Sequence, residues 1–159
     1  MKNRNILIIL VLILIIIIFA YFYYMSQSSD PIHPPPSDNP YFAHLEWHRS
    51  LDKGFQMAQQ ENKPIVVYFG AIWCQKFAKF QTDILGNPNT NKILKEDYIL
   101  VAMDLDIDRD IARNYNVSYP PYVIFLDKNW TVLKRVDGDT DADTFLNMTT
   151  QVNNRIKAE

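Results

Sequence analysis

Residues 64–77 read PIVVYFGAIWCQKF and decide the predicted fold. The first half, 64–70, is a short run rich in β-branched and aromatic residues, which is typical of a buried strand. The pattern then changes to a helical period over 74–85. Apolar residues share one face of that helix: Phe77, Phe80 and Ile84. The stretch therefore predicts a buried strand that leads directly into a helix beginning at Cys74.

Similar patterns continue on both sides of this stretch. Upstream, apolar residues at helical spacing predict a helix over 51–60. Downstream, the patterns predict a short helical piece around 92–94, a strand over 98–103, a short helix capped by Asp108, strands over 122–126 and 131–136, and a last helix capped by Thr140. Strand–helix–strand units imply parallel pairing, and the close final pair of strands implies an antiparallel hairpin. The predicted class is therefore α/β, with a central mixed β-sheet flanked by helices.

The N-terminal segment differs from the rest of the chain. Residues 6–24 carry no charge and form a run long enough to cross a hydrocarbon core as a helix, at about 1.5 Å per residue. Lys2 and Arg4 precede the run, and the 20 residues after it contain no Lys or Arg. This bias places the N-terminus in the cytoplasm and the following domain outside it. We therefore predict a single transmembrane helix within an anchor over residues 1–25.

A cleaved signal peptide is the alternative interpretation of this segment. The apolar core of a signal peptide is shorter than residues 6–24, and no small-x-small cleavage site follows the run. Both features favour a retained anchor. Under either interpretation the domain is exported, to a periplasm, a cell exterior or a secretory lumen.

A proline-rich stretch follows the predicted anchor. Residues 26–44 include the run Pro34-Pro35-Pro36, which favours an extended, semi-rigid spacer. We therefore predict a linker over 26–44 and a domain over 45–159.

Composition excludes several classes of function. Cys74 is the only cysteine, so neither an internal disulfide nor a cysteine-based zinc site can form. His44 and His48 could share a helix face, but no third ligand is spaced to complete a metal site. Four alternating aspartates lack the glycine and the closing glutamate of an EF-hand loop: Asp104, Asp106, Asp108 and Asp110. We predict no metal and no other cofactor.

The net charge of the chain excludes one more class of function. Without Lys2 and Arg4, the chain holds 14 Lys+Arg against 18 Asp+Glu, a net charge of −4, and it has no basic stripe. Nothing in this balance attracts nucleic acid, so no nucleic-acid partner is predicted.

Three features together resemble the thioredoxin family. They are a buried strand, then Trp73-Cys74 at the mouth of a helix, and then an x-Pro step, Pro120-Pro121, before a later strand. Pro121 stands where the family has its cis-proline. The resemblance implies a thioredoxin-like fold, in which Cys74 holds the position of the attacking cysteine.

Further residues extend this resemblance over about 45–155. Gly138 matches the glycine that follows the last hairpin. Trp47 and the tripeptide Asn62-Lys63-Pro64 make the stretch similar to the exported C-terminal domains of DsbD, the thiol:disulfide interchange proteins.

The chemistry expected of Cys74 follows from its place at a helix start. A thiol there faces unpaired N–H groups and the positive end of the helix dipole, which favours the thiolate. Lys76 could add positive potential, and Trp73 and Gln75 flank the sulfur. Since the thiolate is the species that attacks disulfides, the candidate catalytic residue is Cys74.

The chain departs from the family pattern at three positions. The motif Trp-Cys-Gln-Lys-Phe is incomplete, because Phe77 stands where the second, resolving cysteine belongs. Tyr68 occupies the place of the family's buried aspartate and is a poor proton acceptor near neutral pH. Pro120, just before the expected cis-proline, has no N–H to offer an extended substrate. Any mixed disulfide at Cys74 must therefore be released by an outside thiol.

These observations leave two main hypotheses open. In the first, the domain performs monothiol thiol–disulfide exchange or forms mixed disulfides with exported proteins, and an external thiol or a partner reductase completes the cycle. In the second, it is a non-catalytic module that docks a partner protein near the membrane. A dimer bridged through Cys74 is a third, weaker alternative.

Overall fold

The computed structural model describes residues 13–21 and 41–158. The chain divides into two compact units, Met1–Pro36 and Ser37–Glu159. In the first unit, residues 13–21 are helical (α1), and the rest of the predicted 6–24 span lies outside the described residues. Within the described residues, no helix has both the length and the apolar character needed to cross a membrane. Residues 26–40 of the predicted linker also lie outside the description.

The second unit alternates strands and helices along the chain. Its elements are β1 (Tyr41–Phe42), β2 (Leu45–Glu46), α2 (Leu51–Glu61), β3 (Ile65–Gly70), α3 (Gln75–Lys79), a π-helical turn (Phe80–Leu85), α4 (Pro88–Asp97), β4 (Ile99–Asp104), α5 (Arg109–Asn114), β5 (Tyr122–Leu126), β6 (Val132–Asp137) and α6 (Ala142–Lys157). The main strands and helices lie within a few residues of the predicted ones. The predicted helix over 74–85 consists of α3 and the π-helical turn that continues from it.

The main sheet is mixed, as predicted, with the strand order β4-β3-β5-β6. β3 pairs parallel to β4 and antiparallel to β5, and β5 pairs antiparallel to β6. The parallel pairing expected for every strand–helix–strand unit is therefore wrong for β5. The reason is length: α5 spans only six residues, or about 9 Å. It cannot return along β4, which is about 20 Å long. The chain therefore enters β5 at the end where β4 stopped.

The sheet is covered on both faces by apolar side chains. On one face β3 packs Ile65, Val67 and Phe69 against α2 and α5. On the other it packs Val66 and Tyr68 against the π-helical turn and α6. All six residues of β3 are buried, which confirms the buried strand predicted from the continuous apolar run.

Helix caps differ from the sequence prediction in two places. The cap of α6 is Asp141, whose Oδ1 accepts a hydrogen bond from the Thr144 N–H at 2.8 Å, and not Thr140. Asp108 does lie at the start of α5, but its carboxylate bonds outside that helix. It accepts from the Asp104 N–H at 2.7 Å and from Arg49 at 3.1 Å. A tertiary partner therefore competes successfully with the local cap.

The Asp141 cap predicts a pH-dependent stability. Hydrogen bonds from Thr144 lower the pKa of Asp141 below its ordinary value in the folded chain. A carboxyl with a depressed folded pKa stabilises the fold above its unfolded pKa, and this contribution is lost as the pH falls through the folded value. Asp141→Ala should therefore lower the thermal unfolding midpoint at pH 7. The difference from the wild type should shrink in acid.

Thr140→Ala is the matched control for this prediction. Thr140 precedes the cap, and its Oγ1 has no hydrogen-bond partner among the described residues. This variant should leave the midpoint nearly unchanged at any pH. A larger loss for Thr140→Ala than for Asp141→Ala would contradict the cap assignment.

Candidate functional site

Cys74 lies at the N-cap of α3, in the loop that leaves the carboxyl end of β3. Its N–H donates to the Ala71 carbonyl at 3.1 Å, and its own carbonyl accepts from the Phe77 N–H at 3.0 Å. The side chain is partly exposed, and no side chain caps the helix start. Cys74 is therefore a partly exposed residue at the beginning of a helix, as the sequence predicted.

The thiol also contacts the loop before β5. Cys74 Sγ donates a hydrogen bond to the Pro120 carbonyl oxygen at 3.4 Å. The Pro120–Pro121 peptide bond is cis, as the resemblance implied for Pro121. Pro120 thus combines two properties: it lacks an N–H, and its carbonyl is occupied by the thiol. The sequence identified the first property, while the second required the fold.

Gly138, directly after β6, packs against this loop. A Cβ at position 138 would lie 2.5 Å from Pro121 Cγ and 2.9 Å from the Pro121 carbonyl oxygen. Since real side chains do not approach so closely, only glycine fits there without displacing the loop. The predicted family glycine therefore has a clear steric function in this chain.

Large apolar side chains next to Cys74 in the chain, and next to Pro120 in the loop that the thiol contacts, are exposed. Ile72 is 85% exposed, Trp73 59% and Tyr119 55%. Trp73 is held in place by its indole N–H, which donates to Asp106 Oδ2 at 2.8 Å. Sequence analysis singled out Trp73 but missed Ile72, Tyr119 and Asp106. Their exposure could not be recognised without knowing which apolar positions the core uses.

The two polar residues after the cysteine are exposed. Gln75 begins α3, and the Lys76 ammonium pairs with the Asp139 carboxylate in the loop after β6. The hydrogen bond from Lys76 to Asp139 raises the pKa of the Lys76 ammonium, and the proximity of Cys74 raises it slightly further. Asp139 therefore offsets much of the positive potential that the sequence attributes to Lys76.

Tyr68 and the rings packed on it form an aromatic cluster. Tyr68 is 1% exposed, and its ring centroid lies 6.0 Å from that of Phe77 and 5.7 Å from that of Phe80. Burial raises the pKa of Tyr68 well above its ordinary value, so the phenol stays protonated. A base and a second thiol, expected here in a dithiol protein, are thus replaced by packed rings.

No metal centre is formed by the described residues. They contain no group of three His, Cys, Asp or Glu side chains that could hold a metal ion. His44 lies in the β1–β2 turn with a positive φ of 59°, and His48 forms a bridge to Val101 of β4. The two histidines therefore do not share a helix face, contrary to the sequence-based suggestion.

The fold and this thiol-bearing site together define a thioredoxin-like protein. A sequence profile described as the thioredoxin-like domain matches residues 51–153. Because this match covers more than half of the chain, the chain belongs to the thioredoxin-like domain family.

One curated relative is named for thiol:disulfide interchange. The chain is 29% identical over 132 residues to the thiol:disulfide interchange protein DsbD 1 of Pseudomonas aeruginosa, a match that covers 72% of this chain and 22% of that protein. Across four curated relatives, the chain spans between 22% and 51% of their length. The family relationship is therefore to a domain of these proteins.

Solved structures share the fold at lower identity. A thioredoxin from Thermus thermophilus superposes with a TM-score of 0.60 at 23% identity, covering 65% of this chain and 84% of that one. The DsbD C-terminal domain of Neisseria meningitidis superposes with a TM-score of 0.54 at 21% identity, covering 64% and 91%. These similarities establish the fold, and the chemistry depends on the residues around Cys74.

Proposed function

We propose that this chain performs monothiol thiol–disulfide exchange, forming mixed disulfides between Cys74 and exported proteins. The observation that carries the proposal is the position of the thiol. It is partly exposed at the start of α3 and bonded to the cis-proline loop through Pro120. The kinship with DsbD proteins supports disulfide chemistry at this position.

The proposed reaction balances without a cofactor. The Cys74 thiolate attacks one sulfur of a substrate disulfide, a new S–S bond forms, and the other sulfur leaves as a thiolate that takes up a proton. Phe77 cannot attack the resulting mixed disulfide. An external thiol must therefore attack the Cys74 sulfur, which releases the substrate thiol and forms a new disulfide between Cys74 and the attacking thiol. A second thiol, free or in the same partner reductase, then attacks that disulfide, which returns Cys74 as the thiol and leaves the disulfide between the two releasing thiols.

The expected result with glutathione disulfide tests this reaction. The wild-type protein should gain the mass of one glutathione, and an added monothiol should remove it again. Cys74→Ser should gain no mass, because serine oxygen does not exchange with disulfides. Lack of glutathione addition to the folded wild type would contradict the proposal, and mass spectrometry of the intact chain measures it directly.

The exported location belongs to the same proposal. Its support is the uncharged run over 6–24, with Lys2 and Arg4 before it. Because Cys74 is the only cysteine, a membrane-impermeant maleimide added to intact cells should label the chain at Cys74 alone. Labelling that requires cell lysis would contradict an extracytoplasmic domain, and N-terminal sequencing shows whether the segment is retained.

A non-catalytic docking module is the second candidate function. The exposure of Ile72, Trp73 and Tyr119 favours it, since large apolar side chains left in solvent suit contact with a protein partner. The two candidates differ in one measurement. A docking module keeps its partner after Cys74→Ser, whereas a mixed-disulfide partner is lost with the sulfur.

A further inference from the structure

Tyr68 contains a buried hydroxyl that packing does not explain. The side chain is 1% exposed, and its Oη has no hydrogen-bond partner within residues 13–21 and 41–158. Aromatic rings surround it: Phe42, Trp47, Phe77 and Phe80. A buried hydroxyl without a partner destabilises a fold, and phenylalanine would fill the same space without that cost. A functional role for the hydroxyl would explain why tyrosine and not phenylalanine stands at position 68.

The ring of Tyr68 leans toward Gly70, the last residue of β3. Tyr68 and Gly70 face the same side of β3, because side chains alternate along a strand. A Cβ at Gly70 would lie 3.0 Å from Tyr68 Cε1, an atom next to the hydroxyl-bearing end of the ring. That end therefore points along β3 to its carboxyl end, where the chain leaves the sheet toward Cys74. Consistent with this, Cys74 raises the pKa of Tyr68 beyond the effect of burial.

We propose that Tyr68 is a positioning residue for Cys74, whose hydroxyl donates a hydrogen bond to the sulfur once that sulfur carries negative charge. The inference rests on the proposed monothiol function. As a thiol, Cys74 is the donor to Pro120. As a thiolate it has no proton to donate to that carbonyl, and it becomes an acceptor. The neutral phenol of Tyr68 is a buried donor in the strand that leads to Cys74, and it makes no hydrogen bond to any described residue while Cys74 is a thiol.

The remaining charged groups around the thiol lie at its exposed rim. Lys76 on α3 pairs with Asp139, and Asp106 after β4 accepts from Trp73. The elements packed on Tyr68 contribute apolar rings: Phe42 and Trp47 from the β1–β2 hairpin and the residue after it, Phe77 from α3, and Phe80 from the π-helical turn. Tyr68 is therefore the buried polar group through which the interior of the domain can act on the sulfur.

Tyr68→Phe in the full chain tests this inference. Cys74 should react with iodoacetamide roughly tenfold more slowly at neutral pH, the effect expected for one hydrogen bond to a charged group. In strongly alkaline solution the variant should react at least as fast as the wild type, because the thiol is then ionised in both and a thiolate that accepts no hydrogen bond is the stronger nucleophile. Identical rates across the pH range would overturn the inference. A uniform slowing that persists in alkali would also overturn it, because it would indicate altered access.

Tyr98→Phe provides the matched control. Tyr98 is equally buried, but its hydroxyl donates to the Thr149 carbonyl at 2.8 Å. Its loss should lower the unfolding midpoint and leave alkylation of Cys74 unchanged. Tyr68→Phe should do the opposite, keeping or raising the midpoint. Alkylation requires no disulfide substrate, so a failure of glutathione exchange would overturn the proposed function and leave this result standing.

Discussion

Phe77→Cys is expected to convert the chain into a dithiol protein with an internal disulfide to Cys74. Residues three apart on a helix lie on the same face, with Cβ atoms about 5–6 Å apart, close enough for modest adjustment to bring two sulfurs together. The Phe77 N–H already donates to the Cys74 carbonyl at 3.0 Å, so the first turn is formed. A thiol at 77 could attack a mixed disulfide at Cys74 and release the substrate.

Two experiments test whether the chain has become a dithiol protein. Mild oxidation should remove two hydrogens from the Phe77→Cys chain and eliminate its free thiols, which intact mass and thiol titration detect. The reduced variant should reduce insulin disulfides stoichiometrically without an added monothiol. The wild type should not complete this reaction, because it has no second thiol. Complete two-electron reduction by the wild type alone would show that position 77 does not limit the reaction.

The same substitution has a structural cost. The Phe77 ring packs on Tyr68 and on Phe42, with centroids 6.0 and 6.3 Å apart. Replacing a partly buried phenylalanine by cysteine should lower the free energy of unfolding by about 1–3 kcal/mol. Lys79→Cys is the matched control, because it adds a thiol at an exposed site more than one turn from Cys74. It should form no internal disulfide. A folded Phe77→Cys chain that behaves like Lys79→Cys would contradict the prediction.

Gly138→Ala is expected to destabilise the domain and to alter the reactivity of Cys74 together. The new Cβ would meet the Pro121 ring at 2.5 Å and the Pro121 carbonyl oxygen at 2.9 Å, and neither can move without its loop. Overpacking of this kind lowers the free energy of unfolding by about 1–3 kcal/mol. The Pro120 carbonyl oxygen accepts a hydrogen bond from the Cys74 thiol at 3.4 Å. A displaced loop should therefore also weaken that hydrogen bond. Thermal unfolding and the rate of Cys74 alkylation measure the two effects.

Gly54→Ala separates the two effects. A Cβ at Gly54 of α2 would lie 2.5 Å from Val101 Cγ2, a comparably close approach on the face of the sheet that α2 and α5 cover. This variant should lower the unfolding midpoint and leave the alkylation rate of the folded protein unchanged. Equal changes in alkylation for both glycine variants would mean that general loosening, and not the Pro121 loop, controls the thiol.

Local pattern predicted most of the scaffold, because the decisive signals are short in range. Each central strand is a continuous apolar run, as in 64–70 and 122–126, and buried strands are recognised that way. The β1–β2 hairpin was missed, since two-residue strands are too short to show a period. The direction of β5 was also missed. Strand direction depends on where a connection ends in space, which the pattern of 109–114 does not encode.

The functional site likewise combines features that the sequence determines with features that only the tertiary fold determines. The sequence alone determined which atoms are available: one sulfur at Cys74, none at 77, and no N–H at Pro120, since these are covalent facts that folding does not change. Only the tertiary structure decided what meets that sulfur. The thiol and the Pro120 carbonyl come from residues 46 apart, and Lys76 and Asp139 from residues 63 apart. Such contacts arise because the sheet brings the end of β3 beside the start of β5 and the end of β6, a long-range arrangement that no local stretch specifies.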